Sequence, residues 1–117
     1  MKKYTNMPNT KKSLSLAKEK IKILLLEGLH NNALQLFDEN GYNNVEYIKS
    51  SLNKSELIEQ IKDIHLLGIR SKTNITKDIL KHANKLIAIG CYSIGTNQVD
   101  LLSAKLHGIP VFNAPFS

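Results

Sequence analysis

Arg70, Ser71 and Lys72 place two cations around a hydroxyl at the point where an apolar run, "IHLLGI", gives out. A planar guanidinium in such a setting suits a carboxylate or a phosphate, gripped through two parallel hydrogen bonds. Other candidate chemistry is weaker. "GCYSIGTN" (Gly90–Asn97) has the glycine spacing of a phosphate loop, but Thr96 stands where a lysine would have to reach the phosphates. No Gly-x-Gly-x-x-Gly follows the first apolar run, which ends in Glu27-Gly28-Leu29-His30. Arg70 also occupies the place where a receiver-type regulator needs a phospho-acceptor aspartate. His30, His65, His82 and His107 show no metal-ligand spacing. His65 reads as a hydrogen-bonded structural residue, His82 and His107 as helix surface. Only His30 falls near the Arg70 crevice. Cys91 has no base close in sequence and reads as a buried thiol.

The elements that must position these residues alternate in period. "IKILLLEG" is a short apolar run closed by glycine, as a buried strand requires. "NNALQLFDENG" sets Ala33, Leu34, Leu36 and Phe37 on one helical stripe and stops at Gly41. "NVEYIK" alternates with Val45, Tyr47 and Lys49 on one side, as a strand near an edge does. Asn53 with Glu56 three residues on forms a capping-box signature, opening a helix with Leu57, Ile58 and Ile61 inside. After the third strand, Thr76 caps a helix with Asp78 in its first turn and Ile79, Leu80 and Ala83 facing in. "KLIAIG" is the fourth strand. Asp100 caps the last helix, whose apolar residues are Leu101, Leu102, Ala104 and Leu106, with Gly108 as its stop. "IPVFN" closes the series, with Pro110 at its start, where a missing donor does least harm.

Five strands separated by four helices of about ten residues make a βαβ series, hence a doubly wound parallel α/β sheet with right-handed crossovers. The order 2-1-3-4-5 is the commoner choice for five strands. In that order ligands bind beyond the carboxyl ends of strands one and three, where the winding reverses. Arg70 is expected there, beside a helix N-terminus that itself favours anions.

Bulk properties agree. At 117 residues, 42% of them hydrophobic and 22% charged, the chain is a single globular domain. No apolar stretch approaches the roughly 20 residues that span a bilayer. The lone cysteine excludes an intramolecular disulfide framework and points to a reducing cytoplasm. The net charge of +6 is misleading as a nucleic-acid signal. Residues 1–20 carry six lysines and one acid, whereas residues 21–117 carry ten basic and nine acidic residues. The excess therefore belongs to a polar leader, expected to be disordered over residues 1–19, and not to a nucleic-acid surface.

"KIKILLLEGLH", "GIRSKTNIT", "KLIAIGCYSIGTNQVDL" and "HGIPVFNAPFS" together resemble the N-terminal part of bacterial-type D-3-phosphoglycerate dehydrogenases, within the D-2-hydroxyacid dehydrogenase family. The resemblance implies that residues 20–117 are the N-terminal portion of a flavodoxin-like substrate-binding domain. Position by position, it implies that Arg70 and Ser71 contact substrate in an interdomain cleft. Lys49 and Lys72 would meet the phosphate of 3-phosphoglycerate, and backbone N–H groups at Ile94 and Gly95 would receive its carboxylate. This chain carries Lys72 where relatives usually carry arginine, and Ser93 alters the glycine-rich form of the Ile94–Gly95 loop.

The resemblance further implies NAD as cofactor, with its binding domain absent from these residues, and oxidation of a 2-hydroxyl in serine biosynthesis by a homo-oligomeric enzyme. The chain alone is then expected to be inactive, and the sheet to be incomplete at its C-terminus. In the 2-1-3-4-5 order only the first helix covers one face of strands three to five, so a loosened or self-associating polypeptide is expected. The competing reading is a standalone, non-catalytic anion-binding or regulatory module.

Overall fold

In a computed structural model, which describes residues 17–29, 31–93 and 95–113, the chain forms a five-stranded, wholly parallel sheet of order 2-1-3-4-5. Its strands are β1 (Ile23–Leu25), β2 (Val45–Tyr47), β3 (Leu66–Ile69), β4 (Ala88–Cys91) and β5 (Val111–Asn113). The helices between them are α1 (Asn31–Glu39), α2 (Lys54–Ile61), α3 (Lys77–Leu80) and α4 (Leu101–Leu106). Register runs Ile23↔Val45 and Ile23↔Leu66, so β1 lies between β2 and β3, as the expected order demands.

β1 is buried on both sides, and its three residues are at most 2% exposed. That explains an uninterrupted apolar run where a one-sided strand would alternate. Leu24 packs with Leu57, Ile61, Leu67 and Ile79 on one face, under α2 and α3. Ile23 and Leu25 pack with Leu34, Phe37 and Tyr47 on the other, under α1. Burying each such Leu or Ile contributes about 1.5–3 kcal/mol. Gly68 leaves room for the side chains of Leu25 and Leu29, whose Cδ2 and Cδ1 lie 2.6 and 3.0 Å from where its β-carbon would stand, and Gly90 for the Tyr92 ring, whose Cε1 lies 3.3 Å from its own.

The helix starts follow the chain's own signals. Asn53 Oδ1 accepts from Glu56 N at 2.8 Å, and Glu56 Oε1 accepts from Asn53 N at 3.1 Å, completing the capping box. Thr76 and Asp100 cap α3 and α4 through the N–H groups of Ile79 and Ser103. The chain turns left-handed at Gly41 and Gly108, as helix-ending glycines do.

Three details depart from expectation. α3 and α4 are only four and six residues long. Leu36 lies 62% exposed and so stands off the α1 stripe, and Leu102 and Leu106 point outward at 68% and 77%. On α4 the small residues Ser103 and Ala104 face inward. Finally, Lys18–Lys20 form a 3-10 turn across the end of the expected leader. Lys18 Nζ donates to Asn40 O at 2.9 Å and stands 5.3 Å from the Tyr42 ring centroid, so ordered structure begins ahead of residue 20. Residues 1–16 lie outside the described residues.

Candidate functional site

All five strands end at the same edge, and those of β1, β2 and β3 open into a cleft of about 490 Å³. Lys49 comes from the segment after β2, and Arg70, Ser71 and Lys72 follow β3; all four line the cleft together with Ser50 and Ser51. Among the described residues no carboxylate lies within ion-pair distance of Lys49, Arg70 or Lys72; the pairs that do form are elsewhere on the surface. Three cations thus stand without a close ion-pair partner, among the described residues, beside three hydroxyls. Such a set can bind and orient a small polyanion.

The same cleft contains an acid. Glu27, two residues past the end of β1, is the one non-glycine among the described residues with a left-handed backbone, at φ 64°. That conformation costs roughly 1–2 kcal/mol. Its carboxylate offsets this by accepting three backbone N–H groups, from Arg70 at 2.8 Å, Lys72 at 2.8 Å and Thr73 at 3.0 Å. Bonds to a charged acceptor are worth about 1.5–3 kcal/mol each. Glu27 also donates its own N–H to Ser50 O at 3.0 Å. The anion-favouring helix terminus expected beside Arg70 is not there. α3 begins at Lys77 with Thr76 as its cap, and the N–H groups around Arg70 are engaged by Glu27.

The loop after β4 approaches from the other side. Gln98 Nε2 donates to Arg70 O at 2.8 Å and to Ser93 Oγ at 2.9 Å. Ser93 Oγ in turn donates to Gly95 O at 2.7 Å, and Asn113 Nδ2 to Ser93 O at 2.8 Å. Gly95 therefore sits in a loop tied to Arg70 but does not line the cleft itself; Ile94 and His30 lie outside the described residues. Glu27, Gln98 and Asn113 were not singled out as site residues by the sequence reading. The one available signal was a lone acid closing a fully buried strand, which needs hydrogen-bond partners.

Neither Cys91 nor His65 lines the cleft. Cys91 is fully buried, and burial, with Glu27 nearby, pushes its thiol up to about 11, so it is inert as a nucleophile. His65 lies at the opposite end of the sheet, accepting from Lys22 N through Nδ1 at 3.0 Å. At the switch point the described residues also do not fit a dinucleotide. The N–H groups that converge at the switch point already hold a carboxylate, leaving no cradle for a pyrophosphate there.

Residues 23–117 match the family model described as "D-isomer specific 2-hydroxyacid dehydrogenase, catalytic domain". The chain belongs to this family. Within it, the chain is 55% identical over 104 residues to D-3-phosphoglycerate dehydrogenase of Haemophilus influenzae, covering 89% of this chain and 25% of that protein. It is 58% identical over 97 residues to D-3-phosphoglycerate dehydrogenase 1 of Saccharomyces cerevisiae, covering 83% and 20%. The chain thus spans a quarter or less of the length of these curated relatives. Among solved structures, the PH0520 protein from Pyrococcus horikoshii superposes with a TM-score of 0.71 at 29% identity, covering 80% of this chain and 27% of that one. The NAD+-bound 3-phosphoglycerate dehydrogenase of Entamoeba histolytica superposes with a TM-score of 0.67 at 23% identity, covering 80% and 32%, which supports the shared fold. No described helix of the 2-hydroxyacid dehydrogenase chain is long and apolar enough to cross a membrane.

Proposed function

We propose that these residues form the substrate-binding part of an NAD-dependent D-3-phosphoglycerate dehydrogenase of the cytoplasm, oxidising 3-phospho-D-glycerate to 3-phosphohydroxypyruvate. The observation that carries this reading is the convergence of Lys49, Arg70, Ser71 and Lys72 on one cleft with no acid among the described residues in an ion pair with any of the three cations. A ligand with a phosphate at one end and a carboxylate at the other is matched by such a spread of charge. Arg70 and Ser71 hold the substrate, Lys49 and Lys72 neutralise its phosphate, and N–H groups at Ile94 and Gly95 take its carboxylate. Bound NAD supplies the hydride acceptor, and the residues that hold it are not among the described ones. The contribution of these residues is orientation: fixing the substrate by both anionic ends restricts the hydroxyl-bearing carbon to one position.

Titration of the 117-residue chain with 3-phosphoglycerate, followed by amide NMR, tests the reading. Shifts are expected at Lys49, Arg70, Ser71 and Lys72 and not at Lys105. Arg70→Lys, which removes the bidentate fork, is expected to weaken binding about tenfold. No perturbation at millimolar ligand would remove the proposal. The polypeptide alone is expected to reduce no NAD.

A further inference from the structure

Both walls of the cleft converge on one acid. Glu27 donates its backbone N–H to Ser50 O in the segment that carries Lys49. Its side chain collects Arg70 N and Thr73 N on Oε2 and Lys72 N on Oε1, in the segment that carries Arg70, Ser71 and Lys72. We propose that Glu27 is the positioning residue of the anion cleft, curling the Arg70–Thr73 segment around its carboxylate so that the basic side chains face the ligand. This rests on the cleft being the substrate site.

Simple Coulomb reasoning gives the opposite expectation. A negative charge among Lys49, Arg70 and Lys72 lowers their combined pull on an anion, so its removal should tighten binding. Its placement makes sense when three N–H groups must be gathered at one point. No neutral side chain offers two strong acceptor oxygens: glutamine keeps one and turns an NH2 group toward an N–H donor. Glu27 alone among the described non-glycine residues also accepts a left-handed backbone to reach this position.

The two expectations differ in sign, and two variants of the full 117-residue chain separate them. Glu27→Gln removes the charge and one acceptor; Glu27→Asp keeps the charge but shortens the reach. Both are expected to bind 3-phosphoglycerate about tenfold more weakly, the effect of losing roughly one charge-assisted bond's worth of alignment. Both should also lose hydrogen-exchange protection at the Arg70, Lys72 and Thr73 amides. A residue that merely stabilised the fold would lower the melting temperature and leave the affinity of the folded chain unchanged. Equal or tighter binding by Glu27→Gln overturns the proposal, as does wild-type affinity in Glu27→Asp, which also serves if Glu27→Gln does not fold. Should the wild-type chain not bind 3-phosphoglycerate, the substrate reading fails by itself. The amide exchange then decides the role of Glu27, and retained protection in both variants overturns it.

Discussion

His65 holds the end of the sheet opposite the cleft. Its N–H donates to Lys22 O at 2.8 Å, Lys22 N donates back to its Nδ1 at 3.0 Å, and its carbonyl accepts from Ile87 N at 2.7 Å. One residue thereby pins the starts of β1, β3 and β4. The bond to Nδ1 requires an unprotonated nitrogen, and burial, helped by Lys85 and Lys22, lowers the ring below its ordinary value of 6.5. The unfolded chain therefore binds a proton more readily than the folded one. This contribution to stability is complete above about pH 6.5 and declines as pH falls through that value toward the folded one. The window lies above the carboxylates, whose protonation begins lower. Thermal unfolding between pH 7.5 and 5 (conditions chosen around the imidazole range) should show a fall in melting temperature that is smaller in His65→Asn, whose Oδ1 accepts at any pH. Equal falls in the two proteins would show that the imidazole is not responsible.

Elements were legible where their causes are local. The Asn53 cap and the Glu56 that answers it lie three residues apart, and both bonds form. Asn53→Ala should therefore cost about 1 kcal/mol in chemical denaturation, with an unchanged slope; a change within error would mean that tertiary packing alone sets the start of α2. The strand order was legible for a similar reason, since apolar runs alternating with helices leave few windings. Burial of particular leucines was not. Leu36, Leu102 and Leu106 are apolar in sequence and exposed in the fold, because a helix face is buried only where a neighbour reaches it. The cleft divides in the same way. Arg70 announces itself as a cation closing a core strand, while the bonds of Glu27 span 43 to 46 residues and depend on β1 pairing with β3. The helix terminus expected beside Arg70 failed because those same bonds draw the segment into a curl before α3 can begin.

For the molecule as a whole, the winding that creates the cleft also leaves the sheet unevenly covered. α2, α3 and α4 lie on one face, and among the described residues α1 alone lies on the other, over β1 and β2. Beyond it runs an apolar groove of about 240 Å³, lined by residues that include Leu66, Gly68, Ala88, Gly90, Tyr92 and Phe112. Phe112 is 60% exposed and lies on β5, an edge strand whose residues Val111–Asn113 carry no charge. At the other edge β2 presents an exposed Glu46, the kind of charge that discourages strand addition. The asymmetry makes the β5 side the surface through which the 117-residue chain should associate with itself. Sedimentation should show a mass that rises with concentration. Phe112→Glu places a charge at both the groove and the edge, and because the side chain is mostly exposed the monomer should lose no more than about 0.5 kcal/mol. The variant is therefore expected to remain monomeric where the wild type associates, with little change in its unfolding midpoint. Association that persists undiminished in Phe112→Glu would move the contact to another surface, with the outward leucines of α4 the next to substitute.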